Sequence, residues 1–287
     1  MWRVEDGKEV ATLEAKGVQC LAVSKDGRWI AAGTAWGDVS VWSAKTYDKV
    51  ISKTYEKVIS QRKDHYSQIL GVDFSPDSTR LVSAASHNRP AIWDITTREQ
   101  IRTLGDHGDW VRAAKYSPQG DRIATATLRF VRVWDSNDGH LLMDIRVNAT
   151  PWYNTGLRWF NDHLLVISDR TIKQFEASTG SAISEWSVAD ANNTSSITLP
   201  QHREFIAYST NRTVSLWHTS ETHTQLGFIQ HRQDIRSIVV SPDDRFLAIA
   251  GQGGKITINS LSRIIVSILA CWIVNRMNNF LTLVIFS

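Results

Sequence analysis

The sequence predicts an all-β protein built from repeats of about forty-one residues, each folding as a four-stranded antiparallel sheet. Three observations carry this. Tryptophan ends four runs of alternating apolar residues, DVSVW, RPAIW, RFVRVW and TVSLW, at Trp42, Trp93, Trp134 and Trp217. Trp2 lies 40 residues before Trp42; the next steps are 51 and 41, and Phe175 of TIKQF divides the 83 residues from Trp134 to Trp217 into 41 and 42. A second landmark, a polar turn, keeps the same step: SKDG at Ser24, SPDS at Ser75, SPQG at Ser117, WFND at Trp159, LPQH at Leu199 and SPDD at Ser241. Within each repeat apolar and polar residues alternate with period two, as in half-buried strands.

The elements follow in order inside a repeat. A strand such as ILGVDFS or SIVVS precedes the polar turn, and a strand of small residues such as RWIAAGT or RIATAT follows it. After a short turn comes the strand ending in tryptophan. A second polar turn, SNDG or ITTRE, leads to a fourth strand such as HLLMDI or EQIRTL. Six sets of the first three strands begin near Val18, Ile69, Val111, Tyr153, Asn193 and Ile235. The last has Ile258 of KITIN at the tryptophan step, 41 beyond Trp217. Seven segments qualify as fourth strands, because KEVATL (8–13) and RIIVSI (263–268) both fit. One such sheet cannot bury both faces alone; stacked sheets can.

The first repeat carries an insertion. KTYDKVISKTYEKVIS, Lys45 to Ser60, is one octad written twice with Asp48 changed to Glu56. Trp42 to His65 is twenty-three residues, where Trp93 to His107 and Trp217 to His231 are fourteen. Since eight is even, either copy presents the same side chains to the same face, and either can serve as the edge strand while the other loops out. A helix also fits the spacing of Tyr47, Val50, Ile51, Tyr55, Val58 and Ile59. The β-branched content favours the strand. The lysines at 45, 49, 53 and 57 then protect an outer edge, with a basic binding flap as the alternative.

Composition excludes several functions. The net charge is +3, too small to point to nucleic acid. Cys20 and Cys271 make neither a disulfide framework nor a metal spacing. MWRVEDGKEV has no apolar h-region, so a cytoplasmic or nuclear setting is expected. Residues 262–287 form an apolar extension of uncertain status. Its apolar runs, 264–274 and 280–286, flank Arg276 and three asparagines and are too short for a membrane span. AGQGGKI at 250–256 lacks the first glycine and the Ser/Thr of a phosphate loop and reads as a turn between strands. No catalytic signature is present, and no enzyme activity, metal or cofactor is expected.

The repeat resembles the WD-repeat β-propeller family, on VWD at 133–135, IWD at 92–94, and Asp64-His65, Asp106-His107 and Gln230-His231 at the family's Gly-His position. The resemblance covers residues 1–261 and implies a β-propeller of six four-stranded blades, or a seven-bladed ring lacking most of one blade. In the family an N-terminal fourth strand commonly joins the last blade, which here would pair residues 8–13 with 255–259. The resemblance also implies a histidine–hydroxyl–tryptophan network, fitted by His65, Ser83 and Trp93 and by His107, Thr125 and Trp134. Blades four and six depart from it, with Phe175 and Ile258 in place of tryptophan.

The family also implies a function. The turns before strand one and between strands two and three lie on one face, which here receives Trp36, His87, Arg89, Trp110, Arg112, Arg129, Phe130, Trp152 and Tyr153. Trp, Tyr and Arg anchor interfaces, each worth about 2 kcal/mol or more when buried by a partner. Packing of Trp110 and Trp152 between blades is the alternative. The expected function is a non-enzymatic scaffold that docks a protein or peptide. A second expectation is a regulatory segment of a larger signalling NTPase-type protein, such as many fungal ones, because the chain starts inside a repeat.

Overall fold

A computed structural model of the chain describes residues 11–54, 67–86, 89–147, 156–168, 171–187, 194–198, 205–218, 225–241, 243–252, 256–261 and 285–286. These residues form strands joined by turns. Two compact units are distinguished: Met1–Ala149 with Asn161–His163 and Glu176–Ser181, and Thr150–Phe160 with Leu164–Phe175 and Ala182–Ser287.

The first unit holds three four-stranded sheets. The first is β1 (Val18–Val23), β2 (Trp29–Thr34), β3 (Asp38–Ser43) and β4 (Lys49–Thr54). The second is β5 (Ile69–Phe74), β6 (Arg80–Ala85), β7 (Ala91–Asp94) and β8 (Glu99–Thr103). The third is β9 (Ala113–Tyr116), β10 (Arg122–Ala126), β11 (Phe130–Asp135) and β12 (Leu141–Arg146). All pairings within them are antiparallel between chain neighbours, as tight turns require. Burial rises on the small-residue second strands: β2, β6 and β10 are buried almost throughout, while β8 is exposed along its length. Small side chains let sheets approach on both faces, and the outer strand meets water.

Sheets one and two share a core of Val39, Val41, Ile51, Ile69 and Val72. Sheets two and three share one of Val82, Ile92, Val111, Ile123 and Trp134. Polar ties join them as well. Asp73 accepts from Lys115 Nζ at 2.7 Å and from the Tyr116 amide at 3.0 Å. Arg80 Nη1 donates to the Ser136 carbonyl, and Arg122 Nη1 donates to the Ala177 carbonyl at 2.7 Å. The arginine that opens the second strand thus binds the 3–4 turn of the following repeat, an arrangement that sequence reading did not find.

The second unit holds most of β13 (Gly156–Phe160), β14 (His163–Ser168), β15 (Thr171–Glu176) and β16 (Ala182–Ser187), which form sheet four. Sheet five is β17 (Thr194–Thr198), β18 (Phe205–Thr210), β19 (Thr213–His218) and β20 (Gln225–Gln230), joined by β24 (Ile285–Phe286). Sheet six has three strands among the described residues: β21 (Ile235–Val240), β22 (Phe246–Gly251) and β23 (Ile256–Ser260). Its candidate fourth strand 263–268 lies outside the described residues. So does most of 8–13, of which residues 11–13 carry no strand.

The turn landmark has a physical basis. Ser75 Oγ donates to Asp77 at 2.6 Å and accepts from the Arg80 amide at 2.9 Å; Ser24 and Ser241 repeat the pattern with Asp26 and Asp243. The hydroxyl bridges the turn from strand one to strand two. The fourth residue of that turn has positive φ, at Gly27, Ser78, Gly120 and Asp244.

The duplicated octad is resolved in favour of its first copy. β4 starts at Lys49, pairs Val41 with Ile51, and buries Ile51 completely. The first copy follows β3 through a short turn closed by Tyr47 N–H to the Ser43 carbonyl at 2.8 Å, so it is captured with the least loop entropy. It is a strand, not the helix that the spacing also allowed. The rest of the second copy lies outside the described residues.

One expectation is corrected. Ile258 does not hold the tryptophan position of sheet six. In sheet three Trp134 pairs with Ile123; the matching pair in sheet six is Asn259 with Leu247. Four residues separate the paired Ala126 and Val131, but five separate Ala250 and Ile256. The extra residue moves the frame by one, and in a strand one step exchanges the two faces.

Candidate protein-interaction face

Antiparallel order brings the start of each first strand and the turn between strands two and three to one end of a sheet. In sheet one the Ala35 amide donates to the Gly17 carbonyl at 2.7 Å. In sheet two the Gln68 amide donates to Ser86 Oγ, and the Ser86 amide returns to the Gln68 carbonyl, both at 2.9 Å. In sheet three the Arg112 amide donates to the Ala126 carbonyl at 2.8 Å. The Val111 amide reaches across to the Ala85 carbonyl of sheet two at 3.2 Å.

Six of the nine expected residues are described. Trp36 follows Thr34, whose hydroxyl accepts from its amide at 3.2 Å; its indole lies over Gly17 and remains 53% exposed. A Cβ at Gly17 would sit 3.0 Å from Trp36 Nε1, so glycine makes room for the ring at a residue whose φ is +64°. Trp110 is 49% exposed, its amide held by Asp109 at 2.7 Å. Arg112 stacks its guanidinium carbon 5.8 Å from the Trp110 ring centre, and its Nε is shielded from water without a hydrogen-bond partner. Arg89 is exposed and lies 3.9 Å from Asp106. The Arg129 and Phe130 amides both donate to Thr127 Oγ1, which leaves Arg129 exposed at the turn tip. Phe130 points differently: half-buried, it carries Arg132 at 5.4 Å, and Arg132 is bound to Asp144. His87, Trp152 and Tyr153 lie outside the described residues.

Below this end sits the network that holds sheet three rigid. Trp134 Nε1 donates to Thr125 Oγ1 at 2.8 Å, and His107 Nε2 lies 2.7 Å from the same oxygen. His107 Nδ1 lies 3.0 Å from the Gly105 carbonyl. These contacts are all satisfied when Nδ1 carries the proton and Nε2 accepts from the threonine. In sheet two Trp93 Nε1 donates to Ser83 Oγ at 2.8 Å; His65 lies outside the described residues. Elsewhere the network is degraded. Ala32 stands at the hydroxyl position of sheet one and Tyr208 at that of sheet five, where Trp217 Nε1 is buried without a partner. Cys20 contributes no reactive thiol here, since burial pushes its pKa up to about 12. Among the described residues no three His, Cys, Asp or Glu side chains converge as a metal site requires.

The comparisons with known proteins agree with this architecture. The profile described as nucleolar protein 10-like, N-terminal domain, a β-propeller family, matches residues 4–177, more than half of the chain. The chain belongs to this family. A WD domain, G-beta repeat profile matches residues 222–258, which extends the WD-repeat assignment into the second unit. Among curated relatives, guanine nucleotide-binding protein subunit beta-1 of Nicotiana tabacum is 24% identical over 208 residues, covering 66% of this chain and 55% of that protein. WD repeat-containing protein 1 of Mus musculus is 31% identical over 87 residues, 30% of this chain and 13% of that protein. The chain thus spans about half the length of the guanine nucleotide-binding relatives it matches. A chain of a solved mitotic checkpoint complex aligns over 91% of this chain and 80% of its own length, with a TM-score of 0.75 at 18% identity. That likeness establishes the fold class: all-β, a propeller of six blades.

Proposed function

We propose that this WD-repeat propeller is a non-catalytic protein-interaction scaffold, and that its first unit docks a protein or peptide at the end carrying Trp36, Arg89, Trp110, Arg112 and Arg129. The observation that carries the reading is Trp110: a large indole half-exposed at a strand start, with the Arg112 guanidinium against its face. A side chain that served packing alone would be covered. The backbone around it is fixed by hydrogen bonds, so little ordering entropy opposes docking. Relatives named as a G-protein subunit and a solved neighbour named as a checkpoint complex support protein partners as the class. We place the scaffold in the cytoplasm or nucleus, a setting to which the family's description is congenial.

The test is quantitative affinity capture with the full chain and its Trp36→Ala, Trp110→Ala variant, matched for thermal unfolding midpoint. Specific partners should fall by at least about thirtyfold, the cost of losing even one of the two anchors at about 2 kcal/mol. Unchanged recovery from a normally folded variant would move the site elsewhere.

A further inference from the structure

The outer strands of the sheets differ in charge. β4 carries Lys49, β8 carries Glu99 and Arg102, β12 carries Asp144 and Arg146, and β16 carries Glu185. Such charges protect an open edge from unwanted pairing. β20, QLGFIQ, carries none, and it is this strand that takes an additional partner. Ile285 and Phe286 lie beside it in parallel register, Ile229 with Ile285 and Gln230 with Phe286. The other strand pairings described are antiparallel and join chain neighbours. Among the described residues, the pairing with β24 covers Ile229 and Gln230 at the end of β20.

We propose that the outer edge of β20 is a strand-addition site for an uncharged, apolar, extended peptide, and that residues 280–287 of this chain, FLTLVIFS, are its resident ligand. Three features converge. The edge lacks charge, the ligand segment also lacks charge, and the two are paired. Residues 262–279 are long enough to carry that segment from Leu261: eighteen residues span up to about 60 Å when extended. The segment is also poorly suited to continue as an ordinary fourth strand of sheet six. The 3–4 turn places positive φ at Tyr47, Arg98, Gly139 and Gly180, three residues after the amide that closes strand three. Counting from Leu261, whose amide makes the same closing bond to Arg245, that position is Ile264. A β-branched residue strongly resists positive φ. Tethering raises the local concentration of the ligand strand, which favours its occupation of the edge in cis. A free strand of the same chemistry competes with it for the edge.

The test uses the full chain and its Ile285→Pro, Phe286→Pro variant, which removes two backbone donors from β24. The probe is a fluorescent peptide of residues 280–287 with a polar tag. Amides of Gln225–Gln230 should exchange about tenfold faster in the variant, and added peptide should restore their protection. The peptide should bind the variant at least about tenfold more tightly than the unsubstituted chain, where the cis strand competes. A peptide with proline at the positions of Val284 and Phe286 should not bind. Equal exchange of β20 in the two chains overturns the proposal, as does a peptide that binds neither chain or protects amides elsewhere. Dimerisation of the variant with β20 protected overturns the assigned ligand, because the edge would then select a second copy.

Discussion

Sheets three and six each begin beside a histidine, His107 and His231, yet hold it by different means. In sheet three a tryptophan, a threonine and the histidine form one chain of hydrogen bonds, with Thr125 shared by both rings. In sheet six the hydroxyl position is Ile249 and the tryptophan position is Asn259, so His231 Nε2 instead finds Thr257 on the adjacent strand at 3.3 Å. Asn259 Nδ2 is left buried and unpaired. Both sheets keep the same pairing of strands two and three, apolar second strands and a turn opened by serine, whose hydroxyl donates to Asp121 in sheet three and to Asp243 in sheet six. The polar network is therefore a reinforcement laid over a scaffold that turns and apolar packing already specify. Among the described residues, sheet three, which presents Trp110 and Arg112, carries the full reinforcement, as a rigid display surface needs.

This contrast can be broken by measurement. The largest effect belongs to Trp134→Ala, which empties a buried site packed on Ile123 and Val111 and should destabilise by about 4 kcal/mol. Asn259→Ala should cost under about 1 kcal/mol, since the amide it removes has no partner. Equal costs in chemical denaturation would erase the distinction between the sheets. Next is Thr125→Val, which leaves both rings of sheet three without their shared oxygen and should cost about 2 kcal/mol. Thr257→Val, losing one long bond, should cost less than half of that by the same measurement. Smaller still, and of opposite sign, Asn259→Leu should gain about 1 kcal/mol by replacing an unpaired amide with apolar contact.

The smallest effect concerns the serine turns of sheets one, two and six. Burial, the largest single influence, pushes the Asp26 carboxyl up, but the Ser24 hydroxyl, the Arg28 amide and the Arg28 guanidinium together bring it down to about 2. Asp77 is lowered in the same way, against burial, by Ser75 and Thr79, and Asp243 is lowered chiefly by the Ser241 hydroxyl. These groups are ionised in the folded chain at pH values where the unfolded chain binds protons. Their contribution is complete above the unfolded value near 3.9 and is lost as pH falls through the lowered folded values. The thermal midpoint should drop between about pH 4 and pH 2, and an Asp26→Asn, Asp77→Asn variant should show a shallower drop. The groups are exposed, so water screens most of the effect.

Much of this was legible in the linear chain because each repeat is local. Alternation with period two marks each strand, and a serine marks the start of four of the six landmark turns. Trp42, Trp93, Trp134, Phe175 and Trp217 all occupy equivalent positions in the sheets, as their spacing predicts. Spacing failed at Asn259, where one extra turn residue moved the frame. The candidate face was legible only as positions. Exposure of Trp36 and Trp110 depends on neighbouring sheets, and the opposite orientations of Arg129 and Phe130 depend on the backbone leaving the turn at Thr127. The arginines that bind the next repeat's turn were not foreseen, because nothing in a single repeat reveals what lies across its edge.

By itself the sequence determined the period, the four-strand unit, the serine turns and the residue types available at each turn, since all of these are decided by neighbours a few residues apart. Tertiary structure alone decided which octad copy became β4, which residue stands in the tryptophan position of sheet six, and where Ile285–Phe286 pair. Those are questions of register and partner choice. They are settled by backbone hydrogen bonds between segments distant along the chain, and a strand's own side chains do not record which edge it will meet.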